Sequence, residues 1–532
     1  MPETRFPEII TVQPHKIFKA AGVVSSATLA SRILGYVRDM VIAYFFGTAA
    51  AADAFFVAFR IPNLLRRLFA EGSLTVAFIP IFSEHLHHES KQDALEFANA
   101  VFTFLSIILV LLCCLGITFA PFIVKIMAWG FIDDKNKFDL TVLLTRIMFP
   151  YIFFISLVAL CMGILNALKH FAAPALSPVL LNLSMIVSAV FVMPYLSQPV
   201  FALAFGVLAG GCLQLALQIP FLRKKGIVLK TNFNFSHPGL RRLLKLMIPA
   251  VFGAAVYQLN IMIITLLASF LPAGSVSYLY YSDRIFQFPL ALFGIALATV
   301  SLPTMADHVA NKNMDDLKET LSYALRTALF ITIPAMVGLL VLGLPLVQFL
   351  FQRGVFTDTA AHLTAQSLYW FSAGLWAVAG VRIVVNVFYA LQDIWTPVKV
   401  AFITIVCNLV LCLVLMKPMQ HSGLALAVSL SSMINLIILL AILRIRLGRL
   451  KIKKLISSVG KVVFSSAVMG GAVYLTYYNS YWTSLSFPLS RVISLTTSIL
   501  VGVGVFIFCS YVLKSPELLS LWESRNEGKR TP

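Results

Sequence analysis

Ser31-Arg32-Ile33-Leu34-Gly35-Tyr36-Val37-Arg38-Asp39 places two arginines and an aspartate inside the first long hydrophobic stretch of the chain. The second such stretch contains a similar run, Pro62-Asn63-Leu64-Leu65-Arg66-Arg67-Leu68-Phe69-Ala70-Glu71-Gly72. A third charged pair, Asp283-Arg284, lies in an apolar stretch near mid-chain. A charge at the centre of a membrane helix costs about 2.5–3.5 kcal/mol on insertion scales. Several such charges therefore indicate a function. Arginines are suited to binding an anion inside a water-filled cavity.

The composition is that of an all-α polytopic membrane protein. Of the 532 residues, 59% are hydrophobic and only 12% are charged, whereas soluble proteins carry about 25% charged residues. Hydrophobic runs near the length that crosses a bilayer, about 20 residues, recur along the whole chain. The seven cysteines all fall in these runs and are interpreted as packing residues. No phosphate-loop motif occurs, so the chain carries no ATPase of its own.

Hydropathy predicts fourteen transmembrane helices with both termini in the cytoplasm. The excess of 41 basic over 22 acidic residues lies mostly in the loops at 223–245 and 444–454 and in the C-terminal tail. Basic loops stay cytoplasmic, so the net charge of +19 is explained without nucleic acid. The predicted spans are 20–46, 54–82, 97–126, 140–168, 176–194, 199–222, 243–270, 276–303, 322–350, 362–390, 397–416, 422–443, 457–478 and 488–513.

Short matches at separations of 219–223 residues predict an internal duplication. Ala167-Leu168 matches Ala390-Leu391, and Ala202-Leu203-Ala204 matches Ala425-Leu426-Ala427. Two parallel repeats of six helices follow, related by an axis along the membrane normal. The predicted domains are an N-terminal lobe at 1–222, a basic cytoplasmic linker at 223–242, a C-terminal lobe at 243–443, and an addition at 444–532 that contains helices 13 and 14 and the tail.

The intramembrane charges leave a surplus of positive charge. Arg32 and Asp39 are seven residues apart and share a helical face, whereas Arg38 lies about 120° from Arg32. Arginine stays charged and its planar fork engages phosphate oxygens at two points. Four arginines face two obvious acids, so a diphosphate or a carboxylate-rich head group is the predicted ligand. The set consists of Arg32, Arg38, Arg66 and Arg284, with Asp39 and Asp283 as the acids.

Other polar groups in the spans have plainer interpretations. Arg67 and Glu71 are spaced for a supporting i,i+4 ion pair. Three further arginines could pair with a carboxylate or extend to the interface. The histidines near the end of the second span are interpreted as a solvated loop, so neither a metal nor a cofactor is predicted. The tyrosines near Asp283 are interpreted as an interfacial belt or packing. These groups are Arg60, Arg146 and Arg382; His85, His87 and His88 with Glu84; and Tyr278, Tyr280 and Tyr281.

The segments Ser31–Asp39, Asp53–Gly72 and Tyr280–Arg284 together resemble the MurJ (MviN) family of lipid II flippases, within the multidrug/oligosaccharidyl-lipid/polysaccharide exporter superfamily. The resemblance implies two six-helix lobes around a central V-shaped cavity, with two extra C-terminal helices beside a groove for a polyprenyl tail. It implies movement of undecaprenyl-diphosphate-linked muropeptide, lipid II, from the inner to the outer leaflet of the bacterial cytoplasmic membrane for peptidoglycan synthesis. The family's substrate-binding arginines correspond to Arg32, Arg38, Arg66 and Arg284, and its acids to Asp39 and Asp53.

One departure concerns ion coupling. Some members of the family resemble sodium-coupled transporters with acidic ligands in spans 7 and 11. Here span 7 offers Gln258 and Asn260 and span 11 offers Asn408, without a carboxylate in either. Sodium coupling is therefore in doubt, and coupling to the membrane potential is an alternative.

Other functions are also compatible with a polytopic chain. The nearest is a flippase or exporter of another polyprenyl-linked oligosaccharide. An exporter of cationic drugs would need an acid-rich cavity, and a membrane enzyme would need more than the isolated Asp133-Asp134 pair in its short outer loops. A scaffold would not need intramembrane arginines. The expected partners are lipid II, membrane lipids and proteins of cell-wall synthesis or division, but no nucleic acid.

Overall fold

The structure is a computed structural model that describes residues 14–68, 74–291, 295–449, 452–479 and 488–519. These residues form α-helices joined mostly by short connections. The helices are α1 (Pro14–Phe46), α2 (Ala50–Leu65), α3 (Thr75–Glu84), α4 (Lys91–Thr118), α5 (Ala120–Met127), α6 (Lys135–Met148), α7 (Tyr151–Ala167), α8 (Ala172–Val187), α9 (Phe201–Lys224), α10 (Pro238–Ser269), α11 (Ser275–Pro289), α12 (Ile295–Ala310), α13 (Met314–Phe351), α14 (Asp358–Ala373), α15 (Leu375–Ala390), α16 (Trp395–Leu447), α17 (Ile452–Tyr478) and α18 (Pro488–Val512).

The all-α fold class predicted from composition is confirmed, and the described residues of the fourteen predicted spans lie largely in helices. Within the described ranges, eight helical stretches are long and apolar enough to cross a membrane. A ninth is added if α14 and α15, which bend by 41° at Gly374, count as one span. The number fourteen therefore stays a prediction. Several predicted spans contain two shorter helices. The predicted span 140–168, for example, covers most of α6 and all of α7.

A break inside α16 separates two of the predicted spans. Gln420 has a left-handed backbone (φ 51°, ψ −133°) and follows Pro418 by two residues. Proline removes a helical hydrogen bond and a left-handed residue reverses the chain, so the helix cannot run straight through this point. Gln420 lies between the predicted spans 397–416 and 422–443, as the sequence pattern requires.

The chain forms two compact units. The first comprises residues 1–42, 57–124 and 138–255, and the second comprises 43–56, 125–137 and 256–532. The core of the first unit joins α3, α4, α7 and α9, with Phe78 stacked on both Phe82 and Phe97 at ring-centroid distances of 5.4 and 5.3 Å. The lobe and linker boundaries predicted from sequence stay a proposal.

The second unit contains two apolar cores. One joins α12, α13, α15 and α16. The other packs α17 and α18 on α13, where Phe330 contacts Phe506 with a ring-centroid distance of 5.0 Å. Glu517, which is 2% exposed, accepts hydrogen bonds from Ser458 and Ser515 and pairs with Arg326. The C-terminal pair of helices is thus fixed to α13 by apolar packing and by one buried carboxylate.

The ends of α7 and α15 share one backbone pattern at positions that the predicted duplication relates. Lys169 (φ 56°) and Gln392 (φ 59°) are 223 residues apart and both adopt the left-handed conformation. The backbone hydrogen bonds repeat as well, because His170 N–H donates to the Leu165 carbonyl and Asp393 N–H donates to the Phe388 carbonyl. This pattern ends a helix and satisfies its last carbonyls. The same helix end occurs at the same position of the predicted repeat.

Candidate functional site

Arg38 is a buried arginine in α1 whose charge is neutralised inside the first unit. It is 5% exposed, and Asp39 beside it is 1% exposed. Its Nη2 lies 2.7 Å and its Nε 3.1 Å from Asp39 Oδ1, while Nη1 donates to Asn182 Oδ1 at 3.0 Å. A buried charge needs a partner and further hydrogen bonds to offset its desolvation. Asp39 and Asn182 provide both.

Asn182 also ties α8 to the backbone of α1. Its Nδ2 donates to the Ser31 carbonyl at 3.0 Å, beside Arg32 in the sequence. Gly35 faces this amide, because a Cβ built on Gly35 would lie 3.7 Å from Asn182 Nδ2. The amide therefore bonds α1 both at Arg38 and two turns earlier at Ser31. Arg32 lies between these anchors and is exposed.

The arginines of the second predicted span lie at the end of α2. The regular helix stops at Leu65, three residues after Pro62, and residues 66–68 continue as a wider π-helical turn. Arg66 is partly buried and Arg67 is exposed. Glu71 lies outside the described residues, so the predicted Arg67–Glu71 pair stays a prediction. The wider turn changes the angle between successive side chains, so faces counted on an ideal helix do not apply here.

Asp53 is a buried acceptor at the start of α11 in the second unit. It is 1% exposed. Its Oδ1 accepts from the Ser277 hydroxyl at 2.6 Å and the Ser277 N–H at 2.9 Å, and its Oδ2 accepts from the Gly274 N–H at 2.7 Å. Gly274 has a φ of +95°, which suits glycine at the residue before a helix. A carboxylate here satisfies free N–H groups and interacts favourably with the helix dipole.

Lys137 completes this arrangement. Its Nζ lies 2.8 Å from Asp53 Oδ2 and 4.0 Å from the centroid of the Phe131 ring, and the side chain is 7% exposed. The Gly130 N–H beside Phe131 donates to Ser269 at 3.0 Å. Asp53, predicted from the resemblance as a substrate-binding acid, thus has its oxygens occupied by a lysine and a helix start. We call Asp53, Lys137, Gly274 and Ser277 the Asp53 cluster.

Helix α11 carries the mid-chain charges, Asp283 and Arg284, eight and nine residues beyond its start at Ser275. The guanidinium carbon of Arg284 lies 5.7 Å from the centroid of the Tyr280 ring, and Tyr280 stacks on Phe56 at 3.9 Å. Asp283 accepts a hydrogen bond from Gln287 one turn later. Arg284 and Asp283 are both partly buried. At about 1.5 Å per residue, Arg284 lies about 14 Å along the helix from Ser275.

The tyrosines of α11 have separate surroundings. Tyr281 is fully buried, and its hydroxyl donates to the Gly47 carbonyl at 3.3 Å. Tyr278 contacts His421 at a ring-centroid distance of 5.0 Å. Tyr280 contacts a predicted site residue, Arg284. Packing was one of the two interpretations from the sequence, and the contact of Tyr280 with Arg284 was not foreseen.

The amides of predicted spans 7 and 11 meet in a neutral cluster. Asn408 Nδ2 donates to Asn260 Oδ1 at 2.8 Å, and Asn408 Oδ1 accepts from Ser431 at 3.3 Å. Asn408 is 1% exposed. Among the described residues, no group of three or more His, Cys, Asp or Glu side chains could hold a metal ion. The amide and hydroxyl groups of this cluster already satisfy one another.

Two residues that contact predicted site residues, Lys137 and Asn182, were not indicated by the sequence. Lys137 lies 84 residues from Asp53, and in the first unit Asn182 lies 144 residues from Arg38. Lys137 belongs to a charge-balanced loop, and Asn182 is a single amide in an apolar span. Neither position stands out in the sequence from the residues around it. His85, interpreted as solvated, is instead 14% exposed and bonded to Asp93.

Comparisons with known proteins identify the family. The family model described as "Lipid II flippase MurJ" matches residues 42–493. A Vibrio cholerae protein named "Probable lipid II flippase MurJ" is 38% identical over 506 residues, with 94% of this chain and 96% of that protein covered. A Burkholderia cenocepacia protein named "Lipid II flippase MurJ" is 37% identical over 481 residues, with 90% and 93% covered.

Solved structures agree. A structure titled "Lipid II flippase MurJ, inward closed conformation" matches with a TM-score of 0.78 and 29% identity, covering 92% of this chain and 98% of that one. An inward-facing multidrug transporter of the MATE family matches with a TM-score of 0.65, covering 81% of this chain and 99% of that one, and its 15% identity supports a shared fold alone. Sequence and structure together lead to one assignment: the chain belongs to the MurJ family of lipid II flippases.

Proposed function

We propose that this protein is a flippase that moves lipid II from the inner to the outer leaflet of the bacterial cytoplasmic membrane by alternating access. The observation that carries this proposal is the match to the lipid II flippase family over residues 42–493, in a chain that has arginines within its apolar helices. The product would feed peptidoglycan synthesis. The protein is a multi-pass membrane protein, and we place both termini in the cytoplasm because basic loops stay on that side.

Arg32, Arg66 and Arg284 contact the diphosphate and the sugar-peptide head of the cargo in this proposal. Arg32 is exposed, and Arg66 and Arg284 are partly buried. Each guanidinium offers a planar fork that matches phosphate oxygens. Binding of an anion reduces the cost of keeping positive charge in an apolar surrounding.

Arg38, Asp39 and Asp53 act as positioning residues in the same proposal. Arg38 and Asp39 bond to each other and to Asn182, which keeps α1 against α8 and so orients Arg32. Asp53 fixes the start of α11, the helix that presents Arg284. Asp283 and Gln287 form a hydrogen bond on the same helix.

The conformational change requires a difference in cargo affinity between states. A ligand shifts an equilibrium only as far as it binds one state more tightly than the other. We propose that the cargo supplies this difference by neutralising the arginines, and that the membrane potential, worth about 2.3 kcal/mol per charge per 100 mV, biases the cycle. Proteins of cell-wall synthesis or division that consume the product are the expected partners. The proposed function is transport without catalysis.

Movement of lipid II in vesicles tests this function. The purified chain is reconstituted with fluorescent lipid II in the inner leaflet, and its appearance in the outer leaflet is followed under an imposed potential. A polyprenyl-diphosphate oligosaccharide without peptide serves as the matched cargo. Protein-dependent movement of lipid II supports the proposal. Movement of the oligosaccharide alone would instead favour the alternative function, export of another polyprenyl-linked glycan.

A further inference from the structure

The segment between α9 and α10 follows the surface of α4 in the first unit. Residues 226–237, here called the linker loop, are fixed by side chains of α4. The Lys230 N–H donates to Asn99 Oδ1 and the Asn232 N–H donates to Thr103 Oγ1, both at 2.8 Å. Ile227 is 2% exposed and packs into the core of the first unit. The loop is therefore held in a defined position along α4.

The linker loop lies beside a part of α4 that belongs to the predicted membrane span. Helix α4 begins at Lys91, and the predicted span begins at residue 97. Thr103 lies six residues beyond that boundary, which corresponds to about 9 Å along the helix axis. Just beyond Thr103, Ile107 and Ile108 are 48% and 43% exposed, on a helix long and apolar enough to cross a membrane. Side chains of this kind face lipid rather than water.

Two phenylalanines are exposed at this depth. Phe233 and Phe235 are 69% and 44% exposed. Phe235 contacts Phe104 of α4 at a ring-centroid distance of 5.9 Å, and Phe233 contacts Phe235 at 6.1 Å. Aromatic side chains exposed beside a lipid-facing helix are typical of segments that enter the boundary between head groups and acyl chains, about 5–10 Å deep.

Basic side chains surround the base of the linker loop. Lys91, Lys224, Lys225 and Lys230 are all exposed. Lys91 Nζ lies 3.0 Å from the point where a Cβ on Gly226 would be, so Lys91 lies close to the residue that follows Lys225. Glu96 is the exposed acid on this stretch of α4, while Asp93 is bonded to His85. Like charges held together near a membrane surface attract anionic head groups.

We propose that the linker loop is a binding site for anionic phospholipid. Phe233 and Phe235 enter the acyl boundary, and Lys91, Lys224, Lys225 and Lys230 contact the head-group phosphate. This site contains none of the proposed cargo arginines. It rests on the proposed function in one respect, the cytoplasmic placement of the loop, which decides the leaflet that it contacts. It would hold the connection between the two repeats at the membrane surface and would favour membranes rich in acidic lipid.

Lipid-specific quenching of a tryptophan in the loop tests the site. Phe233→Trp is reconstituted in phosphatidylcholine that contains a small fraction of brominated lipid, either phosphatidylglycerol or phosphatidylcholine. The fluorescence of the unsubstituted protein is the baseline. We expect quenching by brominated phosphatidylglycerol to be at least about twofold stronger than by brominated phosphatidylcholine. Phe191→Trp, on an apolar helix where Phe191 is 66% exposed, should be quenched equally by both.

Charge variants complete the test. In the Phe233→Trp protein, Lys224→Gln, Lys225→Gln and Lys230→Gln together should abolish the preference for phosphatidylglycerol, whereas Lys135→Gln, Lys312→Gln and Lys514→Gln together should leave it unchanged. The second set removes the same charge from exposed positions elsewhere. Equal quenching by the two brominated lipids in the Phe233→Trp protein would overturn the proposal. So would quenching by aqueous iodide without quenching by lipid. Neither readout involves lipid II.

Discussion

Arg38 and Arg284 both lie in apolar helices, and the sequence predicts both as substrate-binding residues, but their surroundings differ. Arg38 is 5% exposed and bonds to Asp39 and Asn182. Arg284 is partly buried and lies over the ring of Tyr280, on a helix whose start is held by Asp53. The difference indicates two kinds of intramembrane charge. Some charged residues, such as Arg38, hold helices in place. Others, such as Arg284, lie on the helices that are held and are proposed to contact the cargo.

Removal of Asp53 should have the largest effect on stability. Asp53→Ala leaves Lys137 buried without its carboxylate and frees the N–H groups at the start of α11. Breaking a buried ion pair on one side costs about 3–5 kcal/mol. Denaturant unfolding in detergent measures this loss. Asp358→Ala, which removes a 61% exposed carboxylate at the start of α14, is the matched control and should cost under about 1 kcal/mol.

The same comparison predicts partial rescue in the Asp53 cluster. Asp53→Asn with Lys137→Met removes both charges and keeps an acceptor for Ser277. We expect this double variant to recover about 1–3 kcal/mol relative to the sum of the single variants. Strict additivity of the two substitutions would contradict the pairing.

Removal of Arg38 should have the next largest effect. Arg38→Met leaves Asp39 buried, and we expect a loss of about 3 kcal/mol in the free energy of unfolding. The double variant with Asp39→Asn should be more stable than Arg38→Met alone, measured under the same conditions. Arg446→Met breaks a pair with Asp393 in which the arginine is 44% exposed, and it should cost under about 1 kcal/mol. Equal losses in the free energy of unfolding for Arg38→Met and Arg446→Met would show that Arg38 does not hold α1 against α8.

Arg284→Ala should change stability little. Arg284 is only partly buried, and its contact with Tyr280 is worth about 0.5–1 kcal/mol at such a site. We therefore expect a clearly smaller loss in the free energy of unfolding than for Arg38→Met. A loss as large as that of Arg38→Met would place Arg284 among the residues that hold helices, and the distinction between the two arginines would fail.

Sodium should have the smallest effect. Asn260, Asn408 and Ser431 are neutral, and the two amide oxygens already accept hydrogen bonds within the cluster, so a cation bound here would break those bonds without gaining a carboxylate ligand from these three residues. Replacing sodium with choline on both sides of the vesicle should therefore leave lipid II movement unchanged at a fixed membrane potential. Movement that stops without sodium would show that this cluster, or another site, couples the ion.

The sequence predicted the helices well because their signal is local. The described residues of the predicted spans lie largely in helices, and the break at Gln420 lies between two spans. Arg38 and Asp39 are adjacent in the chain, so their pairing could be suspected. Lys137 and Asn182 could not be identified, because they meet their partners across 84 and 144 residues. Hydropathy records that a polar group is present in a span and contains no information about which distant group satisfies it.

Lipid II movement by Arg284→Ala is the most direct test of the central claim, that an arginine presented within an apolar helix handles the cargo. Arg353→Ala is the matched control, since its guanidinium carbon lies 5.8 Å from the Phe349 ring centroid, a geometry close to that of Arg284 on Tyr280. We predict that Arg284→Ala stays folded in vesicles and loses lipid II movement, while Arg353→Ala moves lipid II at the rate of the unsubstituted protein. Full movement by a folded Arg284→Ala protein would contradict the account.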